Sequence, residues 1–121
     1  MSEQEIPGGS LFFRGPHAFH TGPLVELFGT RPALFTAAAE KLGGMRVASG
    51  DLAYRLWALP RIPLLFVLWE GDEEFPAVVH VRFDASIQNQ LHTLDTIWAL
   101  VNITCRSLRN IGKDILQSET S

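Results

Sequence analysis

The densest cluster of side chains able to do chemistry is Glu70, Asp72, Glu73 and Glu74, followed in the chain by Asp84 and Asp95. Carboxylates so close together could hold a hard cation through oxygen ligands. Their spacing, however, lacks the alternating Asp/Asn around a central glycine with a distal Glu that defines a calcium loop, and a solvated turn is the simpler reading. His17 and His20 lie three apart, and His80 and His92 flank a stretch with strand character. Zinc sites use histidines on adjacent turns of a helix, but Gly15-Pro16 and Gly22-Pro23 break any regular helix across the first pair. The single cysteine, Cys105, supplies neither a disulfide nor a multi-cysteine metal site. It falls on an apolar stripe, where a thiol behaves as a small hydrophobe. There is no Gly-x-Ser-x-Gly elbow for a serine hydrolase and no phosphate loop ending in Lys-Ser or Lys-Thr. No cofactor or metal is therefore expected.

Aromatic residues carry the other signal. Phe12, Phe13, Trp57, Phe66, Trp69 and Phe75 surround the expected sheet, and Trp69 and Phe75 bracket the acidic turn. Most are expected in the core or as hairpin staples, while large aromatics beside a charged rim can also line a groove for a ligand or a protein.

The elements that must position these groups follow from periodicity. Residues 1–10 carry Pro7-Gly8-Gly9 and read as a flexible lead-in, and Leu11-Phe12-Phe13 as a short strand closed by Gly15-Pro16. Thr21 and Thr30 each precede a Pro-led helical stretch, the first ending at Phe28 and the second running from Arg31 to Leu42 before Gly43-Gly44. After Gly50 the period changes to two. Strands are expected from Leu52 to Leu59, from Leu64 to Trp69 as a buried central strand, and from Ala77 to Asp84, with Gly71 free to take a positive φ in the reversal. Leu94, Ile97, Trp98, Val101, Cys105, Leu108 and Ile111 recur at spacings of three and four, with Thr93 as cap and Arg106, Arg109 and Lys113 late in the helix, where they suit its dipole. Gly112 is expected to end this helix, leaving 113–121 as a polar tail. The result is one α+β domain over residues 11–112: a short N-terminal strand and helices, a three-stranded antiparallel meander, and a long C-terminal helix packed on the sheet. That helix covers one sheet face and leaves the other for the N-terminal helices or a partner.

Composition bounds the classes. The chain has 121 residues, 46% of them hydrophobic and 19% charged, with ten basic and thirteen acidic side chains. It is too apolar for a disordered chain and too acidic for a general nucleic-acid binder, its basic residues being scattered. The apolar run from Ile62 to Trp69 falls well short of the roughly 20 residues of a membrane helix, and the acidic, Gly-rich start is unlike a signal peptide. A cytoplasmic location is expected, with neither membrane nor nucleic acid as partner.

Several blocks together resemble a known family: Leu11 to Phe19, Ala39 to Gly44, Leu59 to Leu64, Leu68 to Pro76 and Phe83-Asp84. The Trp-Glu-Gly-Asp-Glu-Glu-Phe-Pro block is the most specific. They are similar to an uncharacterised prokaryotic domain of unknown function found mainly in anaerobes, some members of which are fused to a corrinoid-protein-type iron–sulfur domain. The resemblance covers roughly Pro7 to Leu108. It implies a link to anaerobic one-carbon or corrinoid metabolism, with no activity or ligand attached. This chain lacks iron–sulfur cysteines, has Leu91-His92 where many members start a helix with Leu-Pro, and looks like the C-terminal part of the family domain.

The leading expectation is a non-enzymatic accessory module that binds a small ligand of unknown identity or a protein, a homo-oligomer included. Its recognition surface is expected from Arg14, from His17 in the Gly15–His17 loop, from Trp69, Glu70, Asp72, Glu73 and Glu74 in the acidic turn, and from Asp84. The alternative is an enzyme or cofactor handler in which His17 works with Glu70 or Asp84 as acid and base.

Overall fold

A computed structural model describes residues 1–84, 87 and 93–120, the last without its side chain. Its sheet has four antiparallel strands in sequence order: β1 (Met45–Val47), β2 (Leu52–Leu59), β3 (Ile62–Trp69) and β4 (Val78–Phe83). The helices are α1 (Gly9–Phe12), α2 (Gly22–Phe28), α3 (Pro32–Lys41) and α4 (Leu94–Thr120). The architecture is α+β, with four strands where three were expected. The added strand β1 is three residues long, too short to show a period, and pairs Arg46 with Tyr54 on β2.

Side-chain alternation sorts the sheet into two faces. On one, the rows Leu52–Leu68–Val79, Tyr54–Phe66–Val81 and Leu56–Leu64–Phe83 run across β2, β3 and β4, and all nine residues are buried. Helices α2, α3 and α4 lie on this face, where Leu24, Phe28, Phe35, Ala38, Val101 and Leu108 complete the core. Tyr54 is the polar exception. Its ring meets Phe35 edge-on and its hydroxyl donates to Oε1 of Glu40 at 3.2 Å, which satisfies the phenol at the margin of the core.

The expected core stripe of α4 is observed, with Ile97, Val101, Cys105 and Leu108 buried. Thr93 caps it, its Oγ1 accepting from the backbone N–H of Thr96 at 3.3 Å. The hydroxyls of Thr21 and Thr30 do not cap α2 and α3. Neither helix has a side-chain cap bond, and Arg31 occupies the position before α3.

Three other expectations are corrected. Leu11-Phe12-Phe13 is not a strand. It closes the one-turn helix α1, which turns Phe13 into the core and leaves Leu11 exposed. Residues 1–10 do not run free. Ser2 bridges to Arg82, the amino group of Met1 and the carbonyl of Phe83 are hydrogen-bonded, Phe83 N–H donates back to Met1 O at 2.6 Å, and Ile6 is 1% exposed. Finally, α4 continues past Gly112 to Thr120, where a polar tail was expected, and Ile115 and Leu116 rest against the core.

Candidate functional site

The acidic turn is built around one carboxylate. Oδ1 of Asp72 accepts the backbone N–H groups of Glu74 at 2.8 Å and Phe75 at 2.7 Å, and Asp72 N–H donates to Phe75 O at 2.8 Å. These two amide bonds, Phe75 first, hold the Asp72 carboxyl below the ordinary aspartate range. Gly71 keeps a negative φ, contrary to expectation. What it needs is space, since a Cβ there would lie 2.7 Å from the backbone nitrogen of Ala77. Glu70 is tied from outside, its N–H donating to Oδ2 of Asp51 at 2.7 Å. Asp72 thus has a structural task in the turn, while Glu73, Glu74 and Phe75 stand in solvent.

His17 lies elsewhere. Residues Gly15–His17 form a 3-10 turn, and the imidazole stacks on Phe12 with centroids 4.3 Å apart while meeting Trp98 edge-on at 5.5 Å. Trp98 Nε1 donates to Ala18 O at 3.3 Å, which pins the loop to α4. Phe19 rests on Phe83, at the end of β4 away from the acidic turn, and Arg14 is exposed. A six-residue strand is about 20 Å long, so the two halves of the expected recognition surface attach to opposite ends of β4. Among the described residues His17 makes no hydrogen bond to a carboxylate, and no three His, Cys, Asp or Glu side chains converge as a metal site. His92 lies outside the described residues.

Asp84 follows β4 and lines a shallow cleft with Met1, Arg55, Leu65 and Arg82. This cleft belongs to the second face of the sheet, which no helix covers among the described residues. Its rows are Trp57–Pro63, Met45–Arg55–Leu65–Arg82, Val47–Ala53–Val67–His80 and Trp69–Val78. Met45, Trp57, Trp69 and Val78 are 36–55% exposed. One corner is closed by the β1–β2 connection, where Gly50 presses on Val67 so tightly that a Cβ would fall 2.4 Å from Cγ1 of Val67. The rest is open. Charge along the strands is divided: Asp51, Glu70 and the acidic turn lie beyond the Trp69 end of this face, and Arg55 and Arg82 lie toward the other end, beside Asp84. Alternation predicts the apolar positions. That α2, α3 and α4 share one face is a tertiary fact with no local signal.

A second arrangement was missed at the sequence level. Asn102 sits on α4 at nine-tenths burial, and its Oδ1 accepts the backbone N–H of His20 at 2.9 Å. That bond fixes the amide orientation and leaves Nδ2 buried without a partner, the one such side-chain atom among the described residues. An unmet buried donor costs about 1–3 kcal/mol. Asn102 lines a cleft of about 100 Å³ with His20, Pro23, Cys105, Arg106 and Arg109. Burial pushes the Cys105 thiol up to about 12, so it stays neutral there. The arginines read locally as helix-dipole partners; only the fold brings them beside His20.

The family model DUF3786, a domain of unknown function, matches residues 1–107. The chain belongs to the DUF3786 family. The match takes in the whole sheet, Asn102 and Arg106, and stops within α4 before Arg109. No curated protein and no solved structure matches. Among the described residues, no helix is long and apolar enough to cross a membrane.

Proposed function

We propose that this DUF3786 domain is a non-enzymatic binding module that docks through the open face of its sheet, and that the occupant is a second copy of the same chain. The observation that carries the reading is the face itself: an apolar belt of Met45, Trp57, Leu65, Trp69 and Val78 with acidic groups at one end and Arg55 and Arg82 toward the other. Two such faces related by a two-fold axis lying across the strands place the acidic end of each over the basic end of the other. An isologous contact of this kind needs a self-complementary patch, and this charge division supplies one. Strand spacing and rise give the face an area on the order of 400 Å², below the roughly 800 Å² per partner of a standard interface. The association is therefore weak, in the micromolar range or above.

The acid–base alternative is less well supported, because His17 is held between two aromatic rings rather than beside Glu70 or Asp84. Sedimentation velocity across a concentration series tests the reading. A monomer–dimer equilibrium that weakens with added salt is expected, and Leu65→Arg or Trp57→Ser should abolish it with the far-UV spectrum unchanged. A monomer at all concentrations, or a dimer indifferent to both substitutions, overturns the reading.

A further inference from the structure

On the helical side of the molecule, the cleft around Asn102 has three properties that belong together. It contains the buried amide donor Nδ2, which has no acceptor among the described residues. It carries Arg106 and Arg109, three residues apart and so on one face of α4, with His20 opposite. And among the described residues no carboxylate lines it. Because α4 runs to Thr120 with no basic residue in its last turn, Arg106 and Arg109 lie mid-helix, and the helix dipole accounts neither for them nor for an Asn held by a backbone bond with its donor end unmet among them. A buried polar group in a folded protein is ordinarily satisfied by protein, water or ligand. Among the described residues, the side chains lining the cleft with Asn102 are those of His20, Pro23, Cys105, Arg106 and Arg109, none of which carries a negative charge.

We propose that this cleft binds a phosphate group, free or carried by a small phosphorylated metabolite, with Asn102 Nδ2, Arg106 and Arg109 as its donors. Guanidinium forks match phosphate oxygens in geometry and charge. A tetrahedral oxyanion offers acceptors to donors arriving from α4 and from the His20 side at once, whereas a planar carboxylate engages them along one edge. The volume of about 100 Å³ suits a single such group. The neutral Cys105 thiol supplies no opposing charge. This site is independent of the open sheet face.

The test is a nuclear magnetic resonance titration of the full chain with inorganic phosphate, against chloride at matched ionic strength. Saturable shifts of the Asn102 side-chain NH₂ and of the Arg106 and Arg109 Nε–H signals are expected. Arg106→Gln and Arg109→Gln should each weaken binding roughly tenfold, with no change in melting temperature in phosphate-free buffer. Glycerol 3-phosphate binding more tightly than inorganic phosphate identifies a metabolite headgroup; equal binding identifies the free ion. Absence of saturable shifts, or shifts that persist unchanged in the double variant, means that water alone satisfies Nδ2 and overturns the proposal. Sedimentation on the same samples keeps this outcome separate from the dimer: a monomer that binds phosphate and a dimer that does not are distinct results.

Discussion

Gly112 lies against the ring of Phe28 so closely that a Cβ at position 112 would fall 2.6 Å from Cζ and 2.8 Å from Cε1 of that ring. Neither group can yield easily. Phe28 is fully buried and meets Phe35 edge-on, and Leu27 Cδ2 would stand 2.9 Å from the same added carbon. In a free helix Gly→Ala stabilises by up to about 1 kcal/mol, whereas overpacking a close contact costs about 1–3 kcal/mol. The contact should win. Gly112→Ala is expected to lower the urea midpoint, and a raised midpoint would show that α2 and α4 separate at little cost.

The same glycine shows what the sequence could and could not disclose. Composition around Gly112 reads as a helix end, and only the close approach of α2 explains why the helix passes through it. The strands β2 and β4 and the buried stripe of α4 were legible because their periods persist for six residues or more, and β3 because its apolar run is unbroken. β1, α1 and the pairing of Ser2 with Arg82 were not, because a three- or four-residue segment is placed by its neighbours and has no period of its own. Asp72 was legible as a turn residue. Asn102 was hidden because an Asn on a helix looks solvent-facing until the backbone of His20 is placed against it.

The N-terminal segment offers a direct measure of that tertiary placement. Ile6 is buried against the core although its neighbours are Glu5, Pro7 and Gly8. If residues 1–10 were a free lead-in, Ile6→Ala would change nothing. With the side chain in the core, the substitution should destabilise the domain by about 2–4 kcal/mol, read by chemical denaturation.

The Asp72 turn should respond to acid. A carboxyl whose folded value is depressed contributes stability above its unfolded value of about 3.9 and loses it as pH falls through the lower folded value. The depression comes from the amides of Phe75 and Glu74. Those two amides should therefore lose exchange protection only below about pH 4. Asp72→Ala should remove it at all pH values, and Asp72→Asn, whose Oδ1 still accepts, should keep part of it without the acid transition. Equal protection in the wild-type protein and Asp72→Ala would show the turn is held by other bonds.

Alkaline pH probes the other side of the molecule. The buried Cys105 thiol has its value raised to about 12 by desolvation, while an unfolded cysteine ionises near 8.5. Above about 8.5 the unfolded chain releases a proton that the folded chain keeps, so the unfolded state binds fewer protons and stability falls with rising pH. The contribution is fully present below the unfolded value and is lost as pH climbs toward the folded one. Between about pH 8 and about pH 10 the loss from this one group is about 2 kcal/mol. Tyrosine and lysine titrate in the same range, so the comparison that isolates the thiol is with Cys105→Ala. That variant starts less stable, because it leaves a small cavity beside Asn102, but its unfolding free energy should decline more shallowly over the interval. Parallel declines in the two proteins would show that the thiol ionises in the folded state as readily as in the unfolded one, and that solvent reaches Cys105 through the Asn102 cleft.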